Sequence, residues 1–260
     1  MCFDYDARPP ELPADLRLPP LAGGAPSDRI EVTSADGTRL SAYVAEARAD
    51  GPVRARVLIF PDVRGLYPFY EELADRFAQA GHPAVAFDYF GRTAGLGPRD
   101  DAFEYMPHVL QTRLEQVEQD GAAALAALER RVGSGPRASV GFCFGGMHSF
   151  LAGITGGLGL DRVVGFYGLL DGTRFGLPSV KDDAAGMRVP VLGLFGGEDP
   201  AIPPDHVAQL EASLDEAGVE HEVVTYEGAP HSFFDRSFAE HAEASADAWR
   251  RTLGFLGALG

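Results

Sequence analysis

Three side chains in this chain could act together on an acyl carbon: a thiol at Cys143, a carboxylate at Asp199 and an imidazole at His231. Cys143 stands in "SVGFCFGGMHSF", where an apolar run gives way to small residues able to start a helix. Gly141, Gly145 and Gly146 supply the missing side chains that a sharp strand-to-helix turn needs. Such a turn would expose the sulfur at a helix N-terminus, where the dipole favours thiolate over thiol. The G-x-[SC]-x-G spacing alone is weak, because with 32 glycines in 260 residues chance supplies on the order of 0.4 matches. On the motif alone, an inert buried cysteine and a nucleophile stand about even.

Chain order separates the two. Asp199 lies in "LGLFGGEDPAIPPD", where an apolar strand ends in two glycines before the acid, and His231 lies in "YEGAPHSFFD", beyond the last predicted strand. Taken singly, Asp199 reads as a surface turn acid and His231 as a solvated loop histidine. Together they complete the order nucleophile, acid, histidine, each at the C-terminal end of a strand, where parallel α/β sheets bind ligands.

The elements that must position these groups alternate along the chain. "RIEVTS", "ADGT" and "RLSAYVA" predict an antiparallel edge hairpin. "RARVLIFPD" predicts a buried strand, and "PAVAFDYF", "RASVGF", "DRVVGFYG", "RVPVLGLFG" and "EHEVVTYEG" predict further strands. Helices are expected where Phe69, Leu73 and Phe77 recur, across "LEQVEQDGAAALAALERRVG", and across "PPDHVAQLEASLDEAG". A last helix within the tail from Ser237 would place Ala242, Ala246, Trp249, Leu253 and Leu256 on one face. The fold class is therefore α/β, a mostly parallel sheet with helices on both faces. Residues 1–28, with six of the 19 prolines, predict an extended arm, and residues 29–260 the catalytic domain. The stretch between Gly168 and Arg188 is too short for a large cap domain.

Composition narrows the function. A formal charge of -16 opposes binding to nucleic acid or anionic lipid, and no apolar run approaches the roughly 18 residues of a membrane span. The acidic start "MCFDYDARPP" has no apolar segment behind it, and Cys2 and Cys143 are too few for a disulfide framework, so a cytoplasmic protein is expected. Cys2 reads as a bland terminal residue. "GITGGLGLD" lacks nucleotide-loop spacing and reads as a helix-terminating loop, and His206, His221 and His241 show no metal-ligand spacing. Neither a metal nor another cofactor is expected.

"GFCFGG", "GGEDPAIP" and "GAPHSFF", with "FPDVRGL" and "DYFGR" upstream, resemble the dienelactone hydrolase family over roughly Arg29 to Leu256. The resemblance implies an α/β-hydrolase fold and a cofactor-independent thiol hydrolase acting on a small lactone or ester through Cys143, His231 and Asp199. His231 would take the Cys143 proton and later protonate the leaving oxygen, and Asp199 would fix its tautomer. The backbone N–H groups of Phe144 and Val63 would hold the oxyanion. Asp62 stands where the family carries a glutamate thought to hold the resting thiol. Arg92 matches an arginine that binds a substrate carboxylate, whereas Asp235, beside Arg236, replaces the family's second such arginine. Tyr167 lines the pocket by the same resemblance, with core packing an equal alternative. The expected partner is a small-molecule substrate of a monomer or weak homo-oligomer. Other readings are a general carboxylesterase or thioesterase, and a non-catalytic ligand-binding or redox-sensing protein on the same fold.

Overall fold

The protein is described from a computed structural model covering residues 6–17, 26–47 and 54–259. Cys2 and the other parts of the expected arm, residues 1–5 and 18–25, lie outside the described residues. The expected hairpin is β1 (Ser27–Thr33) and β2 (Arg39–Ala45), antiparallel with Val32 opposite Leu40. Its turn is closed by a 2.8 Å bond from Ser34 N to Thr38 O, with Gly37 at a φ of 88°. The first strand thus begins ahead of Arg29.

The chain then alternates: β3 (Arg56–Phe60), α1 (Pro68–Gln79), β4 (Ala84–Phe87), and the single turns α2 (Gly91–Ala94) and α3 (Met106–Val109). α4 (Leu114–Val132), β5 (Arg137–Phe142), α5 (Phe144–Thr155), β6 (Arg162–Phe166) and the short α6 (Val180–Asp183) follow. β7 (Val191–Gly196), α7 (Pro204–Glu216), β8 (His221–Tyr226) and α8 (Ala242–Gly257) complete it. One sheet runs in the order β1-β2-β4-β3-β5-β6-β7-β8, antiparallel at β1, β2 and β4 and parallel from β4 onward. β3, β4 and β7 are buried at every position, the pattern that a sheet covered by helices on both faces requires. This is an α/β-hydrolase fold, and only short turns and α6 stand between β6 and β7, so there is no large cap domain.

Phe69, Leu73 and Phe77 of α1 are buried, and the Phe77 ring meets Trp249 of α8 edge-on at 5.2 Å. The buried face of α8 holds Trp249, Leu253 and Leu256 as expected and differs toward its start. It runs through Ser245, Ala248, Trp249, Thr252, Leu253 and Leu256, while Ala242, at the helix start, is exposed. Ser245 is accommodated there because its hydroxyl donates to the Phe233 carbonyl at 3.2 Å. Trp249 Nε1 donates to Pro10 O at 3.2 Å, Leu12 is buried, and Glu11 pairs with Arg76 at 2.6 Å, so residues 6–17 lie against α1 and α8. "GITGGLGLD" ends α5 as expected, with Gly156 in the left-handed region as its cap.

Candidate active site

β5 ends at Phe142 and α5 begins at Phe144, so Cys143 alone turns the corner, with φ 55° and ψ -113°. A non-glycine residue there carries about 1–3 kcal/mol of strain and must be held by its surroundings. Its N–H donates to Phe166 O at 3.0 Å, and its carbonyl accepts from Met147 N at 3.1 Å and Leu169 N at 3.3 Å. The flanking glycines permit backbone-to-backbone packing. A Cβ at Gly141 would sit 2.0 Å from Gly145 O, and one at Gly145 would sit 2.1 Å from Phe60 O and 2.2 Å from Pro61 O. The first turn of α5, carrying Phe144, is thereby pressed against the end of β3, which leads directly into Asp62 and Val63.

Asp199 follows β7 and His231 follows β8, which lie side by side and parallel. The Asp199 carboxylate accepts from Ala201 N at 2.8 Å through Oδ1 and from His231 Nδ1 at 2.6 Å through Oδ2. That assigns the Nδ1 proton to the Asp199 side and leaves Nε2 for Cys143, with which His231 is also hydrogen-bonded. Burial works against the imidazolium, but the bonds to Asp199 and Cys143 outweigh it and push the His231 pKa up to about 10. An imidazolium held beside a thiol favours the thiolate over the thiol. Cys143 is buried, with 8% of the residue's surface exposed.

Tyr167 and Asp62 fall in the same neighbourhood. Tyr167 is buried with a φ of 36°, its ring centre is 5.0 Å from that of His231, and its hydroxyl donates to Asp235 Oδ2 at 2.7 Å. Burial, then the charge of Asp235, hold the Tyr167 pKa well above its usual value. Asp62 is fully buried, and its carboxylate accepts from Arg64 through the backbone N at 2.9 Å and Nη2 at 3.2 Å. Arg64 was not among the expected residues. It lies 4.0 Å above the Tyr67 ring, and its only trace in the sequence is its place two positions after Asp62 in "FPDVRGL". Asp235 is buried as well, and burial raises its pKa to about 7 despite the bonds from Tyr167 and from Arg236 N.

Arg92, expected to bind a substrate carboxylate, has its guanidinium engaged by other side chains of the chain. Its Nη2 donates to Asp120 Oδ1 at 2.7 Å, its Nε to Asp120 Oδ2 at 3.2 Å and its Nη1 to Thr38 Oγ1 at 2.8 Å, and it pairs with Asp36. Two carboxylates occupy the guanidinium and tie α2 to the β1–β2 turn and to α4. A cavity of about 140 Å³, lined by Leu169, Asp171, Thr173, Arg174 and Ala201, opens where the loop after β6 meets the loop carrying Asp199. Among the described residues no group of three or more His, Cys, Asp or Glu is arranged to hold a metal ion, and no helix is long and apolar enough to cross a membrane.

Comparison with known proteins gives a consistent likeness. The model of the dienelactone hydrolase family matches residues 40–260. Proteins named "Putative carboxymethylenebutenolidase" are similar: that of Escherichia coli K12 is 30% identical over 84% of this chain and 82% of its own. That of Yersinia pestis is 29% identical over 85% and 84%. Among solved structures, a Klebsiella pneumoniae protein named "Putative Dienelactone Hydrolase" superposes with a TM-score of 0.75 at 27% identity, covering 89% of this chain and 99% of that one. A dienelactone hydrolase-like promiscuous phosphotriesterase from metagenomic libraries gives 0.72 at 27% identity, with 91% and 99% covered.

Proposed function

The chain belongs to the dienelactone hydrolase family, and we propose that it hydrolyses a small lactone or ester through a Cys143–His231–Asp199 triad and an acyl-thioester intermediate. The observation that carries this reading is Cys143 at φ 55° on the strand-to-helix corner, bonded to an imidazole that Asp199 holds from its other side at 2.6 Å.

The Cys143 thiolate attacks the carbonyl carbon, and the π pair moves to the oxygen, which the backbone N–H groups of Phe144 and Val63 stabilise. Collapse of the tetrahedral species breaks the carbon–oxygen bond to the leaving group, and His231 delivers its Nε2 proton to that oxygen. The now neutral imidazole takes a proton from water, whose oxygen attacks the thioester. Release of the acid returns thiolate and imidazolium. Asp199 keeps the ring in one tautomer throughout. The short connection between β6 and β7, with no large cap, suits compact substrates.

Arg92 supports a second reading. With its guanidinium held by Asp120 and Asp36, a strict requirement for a carboxylate on the substrate loses its expected anchor, which favours a general carboxylesterase or thioesterase. The test is turnover of p-nitrophenyl acetate and of a simple unsaturated lactone by wild type and Cys143→Ala. Hydrolysis by the wild type that is lost in the variant is expected, and full activity in Cys143→Ala removes the proposal. The ratio of the two substrates separates the lactonase from the general esterase.

A further inference from the structure

Three carboxylates are buried around Cys143, and they are not provided for alike. Asp62 faces Arg64 Nη2 at 3.2 Å and Asp199 faces His231 Nδ1 at 2.6 Å. Asp235 receives the Tyr167 hydroxyl on Oδ2 at 2.7 Å and the Arg236 backbone N–H on Oδ1. The charged and titratable groups facing it are Asp62 from the loop after β3, Tyr167 from the end of β6, and His231 on its own loop. Tyr70 of α1 and Cys143 in turn act on Tyr167. Asp62 opposes a charge on Asp235. His231 favours one, but its own charge is already engaged by Asp199 and the thiolate. Thiolate, imidazolium and Asp199 carboxylate already sum to one net negative charge, so an ionised Asp235 would add a second in a buried place.

We propose that Asp235 is a specificity residue that acts through its charge: as a neutral carboxyl it donates to Tyr167 and leaves the site open to an anionic ester, and as a carboxylate it turns that ester away. The inference rests on the reading of Cys143 as the nucleophile and adds to it. In the neutral state the Asp235 O–H donates to Tyr167 Oη, and the tyrosine's own hydrogen turns away from Asp235. In the ionised state the bond reverses, and the Tyr167 hydroxyl donates to Asp235 across the same 2.7 Å. Burial holds the changeover near pH 7, where it can act under ordinary conditions.

Alkylation of Cys143 in the intact protein reads this charge without any ester. Iodoacetamide is neutral and iodoacetate anionic, and the ratio of their rates cancels the titration of the thiol itself. In the wild type the iodoacetate-to-iodoacetamide ratio is expected to fall about tenfold as pH rises through 7, the size of effect a unit charge exerts across a partly desolvated site. Asp235→Asn, which keeps a donor toward Tyr167 and cannot ionise, is expected to give a flat ratio. Tyr167→Phe, which removes the donor that favours the carboxylate, is expected to move the fall to higher pH. A wild-type ratio that does not change with pH, or the same fall in Asp235→Asn, overturns the inference. Failure of both reagents to label Cys143 overturns the nucleophile reading itself, and this inference with it.

Discussion

His231 Nδ1 and Asp199 Oδ2 lie 2.6 Å apart although 32 positions separate them in the chain. They meet because β7 and β8 are parallel neighbours, and because Gly197 N donates to Tyr226 O at 2.8 Å and Glu198 N to Ala229 O at 2.9 Å, zipping the two loops together beyond the strand ends. The bond is therefore built into the sheet, and removing its acceptor tests chemistry more than folding.

Asp199→Asn should keep the thermal unfolding temperature nearly unchanged, since the Asn oxygen can still accept from Ala201 N. It should lower kcat/KM on an activated ester by about three to four powers of ten, because the amide no longer enforces the productive tautomer. Unchanged kinetics would shift the orienting role to Glu198.

Gly145→Ala and Gly254→Ala should differ in sign. A Cβ at Gly145 meets two backbone carbonyl oxygens within 2.2 Å, and neither can swing aside, so the elbow must open at roughly 2–4 kcal/mol. A Cβ at Gly254, on α8, meets nothing within 4 Å, and alanine there should stabilise by about 0.5–1 kcal/mol. Urea unfolding of both variants decides the matter, and comparable stabilities would refute the account of the elbow.

Arg92→Ala should behave as a structural variant. It strands the buried Asp120 carboxylate and should destabilise by about 2–4 kcal/mol, with partial recovery in the Arg92→Ala, Asp120→Asn pair. The ratio of kcat/KM for an acidic ester over its neutral methyl ester should stay at the wild-type value. A loss of acid preference would return Arg92 to the substrate.

Asp235→Asn should raise stability at alkaline pH. The Asp235 pKa in the folded protein is about 7 against an ordinary 3.8, so the wild-type fold loses stability as pH rises between those values and not beyond them. Three pH units set a ceiling of about 4 kcal/mol on the advantage of the variant at pH 8, shrinking to nothing near pH 4. Thermal melts across that range would contradict the assignment if the gap were constant.

The elbow was legible in the sequence because its glycines and the apolar strand before it are local features, as is the order in which Asp199 and His231 follow. The partners of Arg92 were not. Asp36 lies 56 positions away and Asp120 lies 28, and only the packing of α2 against the hairpin and α4 brings them together. Arg64 and Asp62 show the same spacing that an exposed turn would show, so the burial of Asp62 is what distinguishes them. Asp235 was visible as an acid in place of an arginine, but not its enclosure by Tyr167. On α8 Trp249, Leu253 and Leu256 are buried as the spacing implied, but the buried Ser245 and Thr252 break the apolar pattern, so the first turn's share of the face was not legible.

The central claim is a covalent bond between Cys143 and the acyl group, and intact-protein mass spectrometry of rapidly quenched enzyme with p-nitrophenyl acetate tests it most directly. The account predicts a transient acetyl adduct, mapped by peptide digestion to Cys143, that persists longer in His231→Ala once formed, because no base remains to activate water. Steady hydrolysis by the wild type with no adduct at Cys143, and with activity retained in Cys143→Ala, would contradict it.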